Sequence, residues 1–507
     1  MIEVVESTRP LLALACPFAC ALLILIFGNK PNIREGCTLV AAGILFGIIL
    51  SMAPIILQHK LIYSHLFTIS TGIDLGFQVD AFGLVFAITS SFLWILVSIY
   101  SIGYMRALKE HAQTRFYFYF ALAIFCAISI ALSKNLITFY VFYEALTFST
   151  YWLVAHHEDD EAFLGAKKYL TYLLFSGWFL FAAVVMTYAL TGTTNFVEGG
   201  ILEQDTASKG TLIILFALFA LGSMKAAWMP FHAWLPSAMV APTPVSSLLH
   251  AVAVVKAGVF GFVRIVCYVF GVDLFQVLGL GLILGIFASF TMLVGSFFAI
   301  AEDNLKRRLA YSTISQLSYI LFGAALLSPY GIQGAMIHIP FHAFMKITLF
   351  LCAGAIMVIS GKKQVSQLSG MGKKMPITMV AFAIGATGMC GIPPVAGFIS
   401  KWFLCLGTIQ AGAYIFLSVI LVSSILDVIY FFPIVRMAFF KKSEPKKDQD
   451  IFINSNGILT MEAKNPIYLF MIVPLAVTAV FSIIFCFFPN TFYILDLVKL
   501  ATNNLFP

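Results

Sequence analysis

Charge is what this sequence has least of. Only 10% of its 507 residues are Asp, Glu, Lys or Arg, whereas a soluble chain carries about 25%. Hydrophobic residues make up 61%. No soluble globule of this length could hide so much apolar surface, so lipid must be the solvent for most of the chain. Cysteine pairs are also missing. None of the nine cysteines forms a C-x-x-C pair, and Cys16 and Cys20 both lie within the first apolar run, so they read as small buried hydrophobes. The sequence holds no haem, iron–sulfur, flavin or nucleotide motif. No cofactor and no metal are expected, and electron-transfer chemistry would have to sit on a partner. The acidic start, with Glu3 and Glu6 and no basic n-region, is unlike a signal peptide and predicts that the first apolar run is a retained helix. Long polar segments are scarce too: 441–466 reads as the one solvated cytoplasmic linker.

The net charge of +7 would suit a nucleic-acid partner, but its placement excludes one. Lys and Arg sit mainly in short segments between apolar runs, with no basic stripe interleaved with aromatics. The runs are what the sequence has in abundance. By the roughly twenty-residue criterion there are about fourteen, near 10–28, 37–57, 83–103, 115–132, 135–155, 167–190, 211–229, 243–270, 274–300, 308–328, 333–360, 376–410, 413–435 and 467–489. The expected fold is an all-α polytopic membrane protein. Segments after odd-numbered runs hold twenty Lys and Arg, against five in the other loops and the tails. That asymmetry predicts both termini outside.

Away from the run edges, where Arg115, Lys167, Lys168 and Arg308 count with the loops, seven Asp, Glu, Lys or Arg residues fall inside the runs: Glu144, Lys225, Lys256, Arg264, Lys346, Lys401 and Asp427. Each costs about 2.5–3.5 kcal/mol at mid-membrane, about 20 kcal/mol together before pairing, which exceeds the net stability of a typical protein. Internal water and mutual pairing are the usual compensation. Arg264, near the end of its run, leaves snorkelling to the headgroups open. A lone Lys–Glu pair can be purely structural. Here several lysines share very few acids, and a buried Lys without a full partner can exchange a proton near neutrality.

Pro230 and Pro236 break the run just after Lys225, and Gly391, Pro393, Pro394 and Gly397 break the run just before Lys401. Freed backbone groups are tolerated at that depth only against protein or a hydrated cavity, and interruptions in corresponding halves point to an inverted-repeat transporter. His338, His342 and Lys346 recur at i, i+4 and i+8, forming one polar stripe of about 12 Å. A relay suits this stripe better than a metal, because no carboxylate or cysteine completes a ligand set on that face. His250 and Lys256 lie six residues apart and do not share a face; they could serve different sides of one path.

At these residues the chain resembles the antiporter-like subunits shared by Mrp-type cation/proton antiporters and the membrane arm of respiratory complex I. The matching motifs are Phe142-Tyr143-Glu144-Ala145-Leu146, Met224-Lys225 through Pro236, Ala241-Pro242-Thr243-Pro244 through His250 to Lys256-Ala257-Gly258, Lys306-Arg307-Arg308 through Gln316, His342-Ala343-Phe344-Met345-Lys346, and Pro393-Pro394 through Lys401. They span roughly 75–440. The resemblance implies one membrane domain, 1–507, of fourteen helices, with two inverted five-helix repeats (115–270 and 274–440) and broken seventh and twelfth helices. It implies that Glu144 pairs with Lys225 in a first half-channel, that Lys256 connects it laterally with His250 nearby, that the His338–His342–Lys346 stripe continues the axis, and that Lys401 ends a second half-channel. Lysine at 401, and an end soon after the last run, are most like the D-type member of the Mrp antiporter subunits.

The implied function is proton translocation in a multi-subunit Na+/H+ antiporter of the cell membrane, with other hydrophobic subunits as partners. Two alternatives stay open: a pump subunit of complex I or a membrane-bound hydrogenase, and a non-conducting scaffold or inorganic-carbon uptake module. Asp427 belongs to none of the motifs. It is either a partner for Lys401 or Lys346, or structural.

Overall fold

A computed structural model describes residues 3–70, 73–442, 453–454, 457–458 and 460–506. The apolar runs are helices. In chain order they are α1 (Arg9–Ile26), α2 (Pro31–Leu50), α3 (Ala81–Leu108), α4 (Gln113–Ala131), α5 (Leu136–Val154), α6 (Asp160–Thr191) and α7 (Lys209–Gly222). There follow α8 (Thr243–Phe270), α9 (Leu280–Ala301), α10 (Leu305–Ala325), α11 (Pro329–Ser360), α12 (Pro376–Cys390), α13 (Gly397–Gln410), α14 (Tyr414–Phe440), α15 (Leu469–Phe487) and α16 (Ile494–Asn503). Ten helices among the described residues are long and apolar enough to cross a bilayer. The expected run 135–155 is the helix α5 and 308–328 falls on α10, but polar residues keep both below that apolar threshold. The expected runs 211–229 and 376–410 are helices interrupted part-way.

Starts and stops follow local chemistry. Asp80, Asn135, Asp159, Ser208, Asn304 and Ser328 each accept a backbone N–H two or three residues into α3, α5, α6, α7, α10 and α11, satisfying donors that a helix start leaves free. Gly192 and Gly361 end α6 and α11 in the left-handed region, which costs glycine nothing.

Burial orders the bundle. α8 is wholly buried, α3 and α11 are mostly so, and α1, α2, α6 and α14 turn most of their surface outward. The outward faces carry Val40, Leu164, Trp178, Ile415 and Ile425, all more than half exposed. Such faces suit acyl chains and would drive aggregation in water. α8 is not regular. Leu248–Val252 and Ile265–Phe270 form π-turns flanking the α-helical Val254–Arg264, an irregularity frequent at functional sites.

Three features were not fixed by the sequence. The fold is mostly helical but carries one small sheet: β1 (Glu3–Glu6) pairs in parallel with β2 (Lys60–Ser70), which pairs antiparallel with β3 (Ile73–Val79). β3 is tied to the α4–α5 turn through Gln78, whose N–H donates to the Leu132 carbonyl. This hairpin lies between apolar runs and therefore left no mark on a helix-length search. Half of the linker 441–466 falls outside the described residues; in its described end Ala463–Pro466 are exposed and one residue is buried. Buried Glu462 accepts from the Thr378 N–H at 2.8 Å and the Thr378 hydroxyl at 2.6 Å, capping α12 from a distance.

The third is Arg264, which does not snorkel. It is 1% exposed, and its guanidinium makes a two-pronged ion pair with Asp80, one prong being Nη2 to Oδ1 at 2.7 Å. Asp80 Oδ1 also accepts the Gly83 N–H at 2.7 Å, so one carboxylate caps α3 and neutralises α8. Leaving one member of a buried pair alone costs about 3–5 kcal/mol, more than replacing both by apolar residues. Asp80→Ala is expected to lower the unfolding midpoint of the detergent-solubilised protein strongly, and Asp80→Leu with Arg264→Met to restore much of it. Equal loss in both variants contradicts this account.

Candidate functional site

The chain after α7 makes a short 3-10 turn, Met224–Ala226, and then leaves helical geometry. A broken helix strands backbone groups that water cannot reach, and here side chains satisfy them. The Ser176 hydroxyl from α6 donates to the Gly222 carbonyl at 2.7 Å and accepts the Met224 N–H at 3.2 Å. Trp234 Nε1 donates to the Met224 carbonyl at 3.0 Å, and the Met229 N–H donates to Thr291 Oγ1 at 3.1 Å. The turn holds Lys225 fully buried, its Nζ 3.7 Å from Glu144 Oε1 on α5, donating to the Tyr143 carbonyl and lying 3.4 Å from the centre of the Tyr143 ring.

Two glycines allow this approach. A Cβ on Gly177 would stand 2.5 Å from the Glu144 carboxyl carbon, and one on Gly258 would stand 2.3 Å from the Ala226 nitrogen. Gly258 thus seats α8 directly against the lysine turn.

The other break is built in the same way. α12 ends at Gly391 (φ +77), the Ala396 N–H donates to the Ser482 carbonyl at 2.8 Å, and Gln316 Nε2 reaches the Met389 carbonyl at 3.4 Å. The Lys401 stem lies over Gly391, where a Cβ would stand 2.6 Å from its Cδ. Lys401 Nζ pairs with Asp427 Oδ2 at 2.7 Å and bonds Ser424 Oγ at 3.1 Å. Of the readings left open for Asp427, the geometry selects partnership with Lys401.

A chain of polar atoms continues from this pair. Asp427 accepts from Gln316 Nε2 at 2.8 Å and, on its other oxygen, from the Tyr430 hydroxyl. The Tyr430 hydroxyl lies 3.1 Å from Ser312 Oγ, which accepts from Lys346 Nζ at 2.8 Å. Lys346 stands on α11 with His342 and His338. His342 Nδ1 is 2.7 Å from Lys256 Nζ of α8, and His338 Nδ1 is 2.8 Å from Ser400 Oγ, next to Lys401. The expected residues Lys256, His338, His342, Lys346 and Lys401 are therefore brought together on α8, α11 and α13.

His250 is buried against the Phe350 ring at 4.5 Å, with neither ring nitrogen hydrogen-bonded, and it is not joined to Lys256. Glu144 and Lys225 form a separate pair, touching the rest through Gly258 packing. Ser312, Gln316 and Tyr430 join the chain although they are not among the residues expected from the sequence. The signal available was position: Tyr430 is i+3 to Asp427, and Ser312 and Gln316 lie within the Lys306–Gln316 motif.

A cavity of about 920 Å³ opens where α6, the segment after α7 and the start of α10 meet, lined by Glu110, His157, His232, Lys306, Arg307 and Lys363 among others. Lys306 Nζ donates to the Ala241 carbonyl at 2.6 Å, just ahead of α8. Near its rim, burial first and then His157 and His111 push His156 down to about 3, so this imidazole is neutral at physiological pH.

Overpacking a tight contact costs about 1–3 kcal/mol. Gly258→Ala is accordingly expected to lower the thermal midpoint, whereas Gly43→Ala on α2, with no atom within 4 Å of its added Cβ, is expected to leave it unchanged. Equal midpoints for the two variants contradict the close packing of α8 on the Lys225 turn.

Residues 133–427 match the family described as NADH:quinone oxidoreductase/Mrp antiporter, and 67–117 match the N-terminus of chain 5 of complex I NADH-ubiquinone oxidoreductase. The chain is 33% identical over 377 residues to NADH-quinone oxidoreductase subunit N of Desulforudis audaxviator, covering 73% of each. It is 32% identical over 451 residues to the putative antiporter subunit mnhA2 of Staphylococcus aureus; that alignment covers 83% of this chain and 53% of the relative. The chain thus spans about half the length of mnhA2. The fold is shared with a chain of the Mrp complex of a Dietzia species (TM-score 0.85, 22% identity, 98% and 97% covered) and with one of an archaeal membrane-bound sulfane sulfur reductase (TM-score 0.83, 22% identity, 98% of each covered). By this sequence match and the bundle of apolar helices, the chain belongs to the NADH:quinone oxidoreductase/Mrp antiporter family of multi-pass membrane subunits.

Proposed function

We propose that this chain is a proton-translocating subunit of a multi-subunit Na+/H+ antiporter in the cell membrane. The observation that carries the reading is the unbroken hydrogen-bonded chain Lys346–Ser312–Tyr430–Asp427–Lys401, buried along its length and made of groups that donate and accept protons. Ionisable residues at such depth are expensive and are kept mainly where ions or protons pass. In this reading the fourteen expected runs are spans, with the segments around Lys225 and Lys401 as the broken seventh and twelfth, and 115–270 and 274–440 form inverted repeats. The two breaks support that arrangement, each placing a buried lysine beside a carboxylate, Lys225 with Glu144 and Lys401 with Asp427. Both termini lie outside by the basic-loop asymmetry. Lysine at 401 favours the D-type position in an Mrp assembly, and other hydrophobic subunits complete the complex.

Protons would reach the axis from the cavity beside Lys306, pass Lys225, Lys256, the His338–Lys346 stripe and Lys401, and leave on the other side. Moving a carboxylate away from a buried ammonium favours release of its proton. Displacement within the Glu144–Lys225 pair is thus the proposed switch, driven by the ion gradient.

The similarity to NADH-quinone oxidoreductase subunit N keeps a second reading in play, a pump in which redox energy on partner subunits drives the same axis. Copurifying iron–sulfur or flavin subunits would select it.

Lys225→Ala and Glu144→Ala, each in the assembled complex in vesicles, are expected to cut cation-driven proton flux by about a hundredfold, the low side of what one positioned proton-transfer group contributes. Unchanged flux in both rejects the scheme.

A further inference from the structure

The turns after α3 and α5 bring together a group of side chains that the axis does not use. Glu110 and His111 follow α3; His156 and His157 follow α5. One ligand atom from each of Glu110, His111 and His156 lies within 4.8 Å of the others. The three imidazoles converge on a single oxygen: His111 Nδ1, His156 Nε2 and His157 Nδ1 each stand 3.8 Å from Glu110 Oε2.

That spacing is too long for hydrogen bonds. It does suit atoms that share an ion, because a tetrahedral centre with bonds of 2.0–2.1 Å sets its ligand atoms about 3.3 Å apart, a contraction of roughly half an ångström for the carboxylate–imidazole pairs. The second observation is His156. It is 0% exposed, both its ring nitrogens are without a hydrogen-bond partner, and its Nε2 is aimed at the carboxylate. A buried imidazole with two idle nitrogens costs free energy unless something binds it.

The positive charge of Arg115 is turned toward another carboxylate. The Arg115 guanidinium is held by the Glu158 carboxylate and by the His156 carbonyl at 3.1 Å, which leaves the Glu110 charge uncompensated by it. His111 is half exposed, so an ion can reach the group from solvent.

We propose that Glu110, His111 and His156 bind a first-row transition metal ion of the zinc class, with His157 beside the same carboxylate oxygen. Two imidazoles and one carboxylate, with a coordination position left for water, form a common zinc ligand set. The ion would tie the turn after α3 to the turn after α5 at the rim of the 920 Å³ cavity, to which Glu110 and His157 contribute. This inference stands independently of the transport reading.

The test uses the full-length protein purified in detergent, stripped with a chelator and titrated with Zn2+ against a chromogenic chelator, and separately with Co2+ in the visible range. One equivalent of Zn2+ is expected to bind, with affinity falling about tenfold or more in His111→Ala and in His156→Ala. His111 is exposed enough for its variant to fold even if loss of buried His156 is not tolerated. The bound Co2+ should give ligand-field bands without thiolate charge transfer. Absence of stoichiometric binding, affinity unchanged in His111→Ala, or a thiolate band from the scattered cysteines would each overturn the proposal.

Discussion

A charge placed in hydrocarbon must be answered from within the protein, because neither water nor lipid will do so at that depth. This bundle has few acids to do it with. Asp80 serves Arg264, Asp427 serves Lys401, and Glu144 stands by Lys225. Lys256 and Lys346 take neutral hydrogen-bond partners instead, an imidazole and a hydroxyl. The three ion pairs differ in kind. Arg264 and Asp80 close on each other with two prongs and also cap a helix, which makes a lock. Lys401 meets Asp427 through a single prong at 2.7 Å, and Lys225 is held more loosely, shared between a carboxylate at 3.7 Å and a carbonyl. An ammonium can give up its proton and a guanidinium in practice cannot, which is why the proposed path runs through the lysines and leaves Arg264 out.

The same constraint governs the backbone. Each break in a helix exposes carbonyl and amide groups that demand partners, and each is met by a specific side chain or main-chain group: Ser176, Trp234 and Thr291 at one, Gln316 and the Ser482 carbonyl at the other. Gln316 bonds both the Met389 carbonyl and Asp427. The residue that repairs the broken helix is therefore also part of the polar chain. Glycine completes the arrangement, with Gly258 and Gly391 clearing space for the Lys225 turn and the Lys401 stem.

Much of this was legible beforehand because lipid imposes simple rules. Helix-length apolar runs, prolines at the breaks and the His338–His342–Lys346 spacing all read directly from local order. What stayed hidden depends on proximity across space. Asp80 and Arg264 are 184 positions apart, and nothing local tells an arginine near a helix end that it has a partner rather than a headgroup. The choice between Lys346 and Lys401 for Asp427 turned on the packing of α10, α13 and α14. The hairpin of β2 and β3 has no helix-length apolar run to mark it, and the members of the Glu110–His156 group sit on two turns that meet only in the folded chain.

The central claim is that the buried polar groups form one conducting path, and one oxygen atom offers the sharpest test of it. The Tyr430 hydroxyl bridges Ser312 to Asp427. Tyr430→Phe removes that bridge and leaves the ring, and with it the packing, in place. Proton flux should be measured in vesicles carrying the assembled complex, with thermal stability as the control. The account predicts that flux falls sharply while the complex remains folded. Flux at the unmodified level in a folded Tyr430→Phe complex would contradict it.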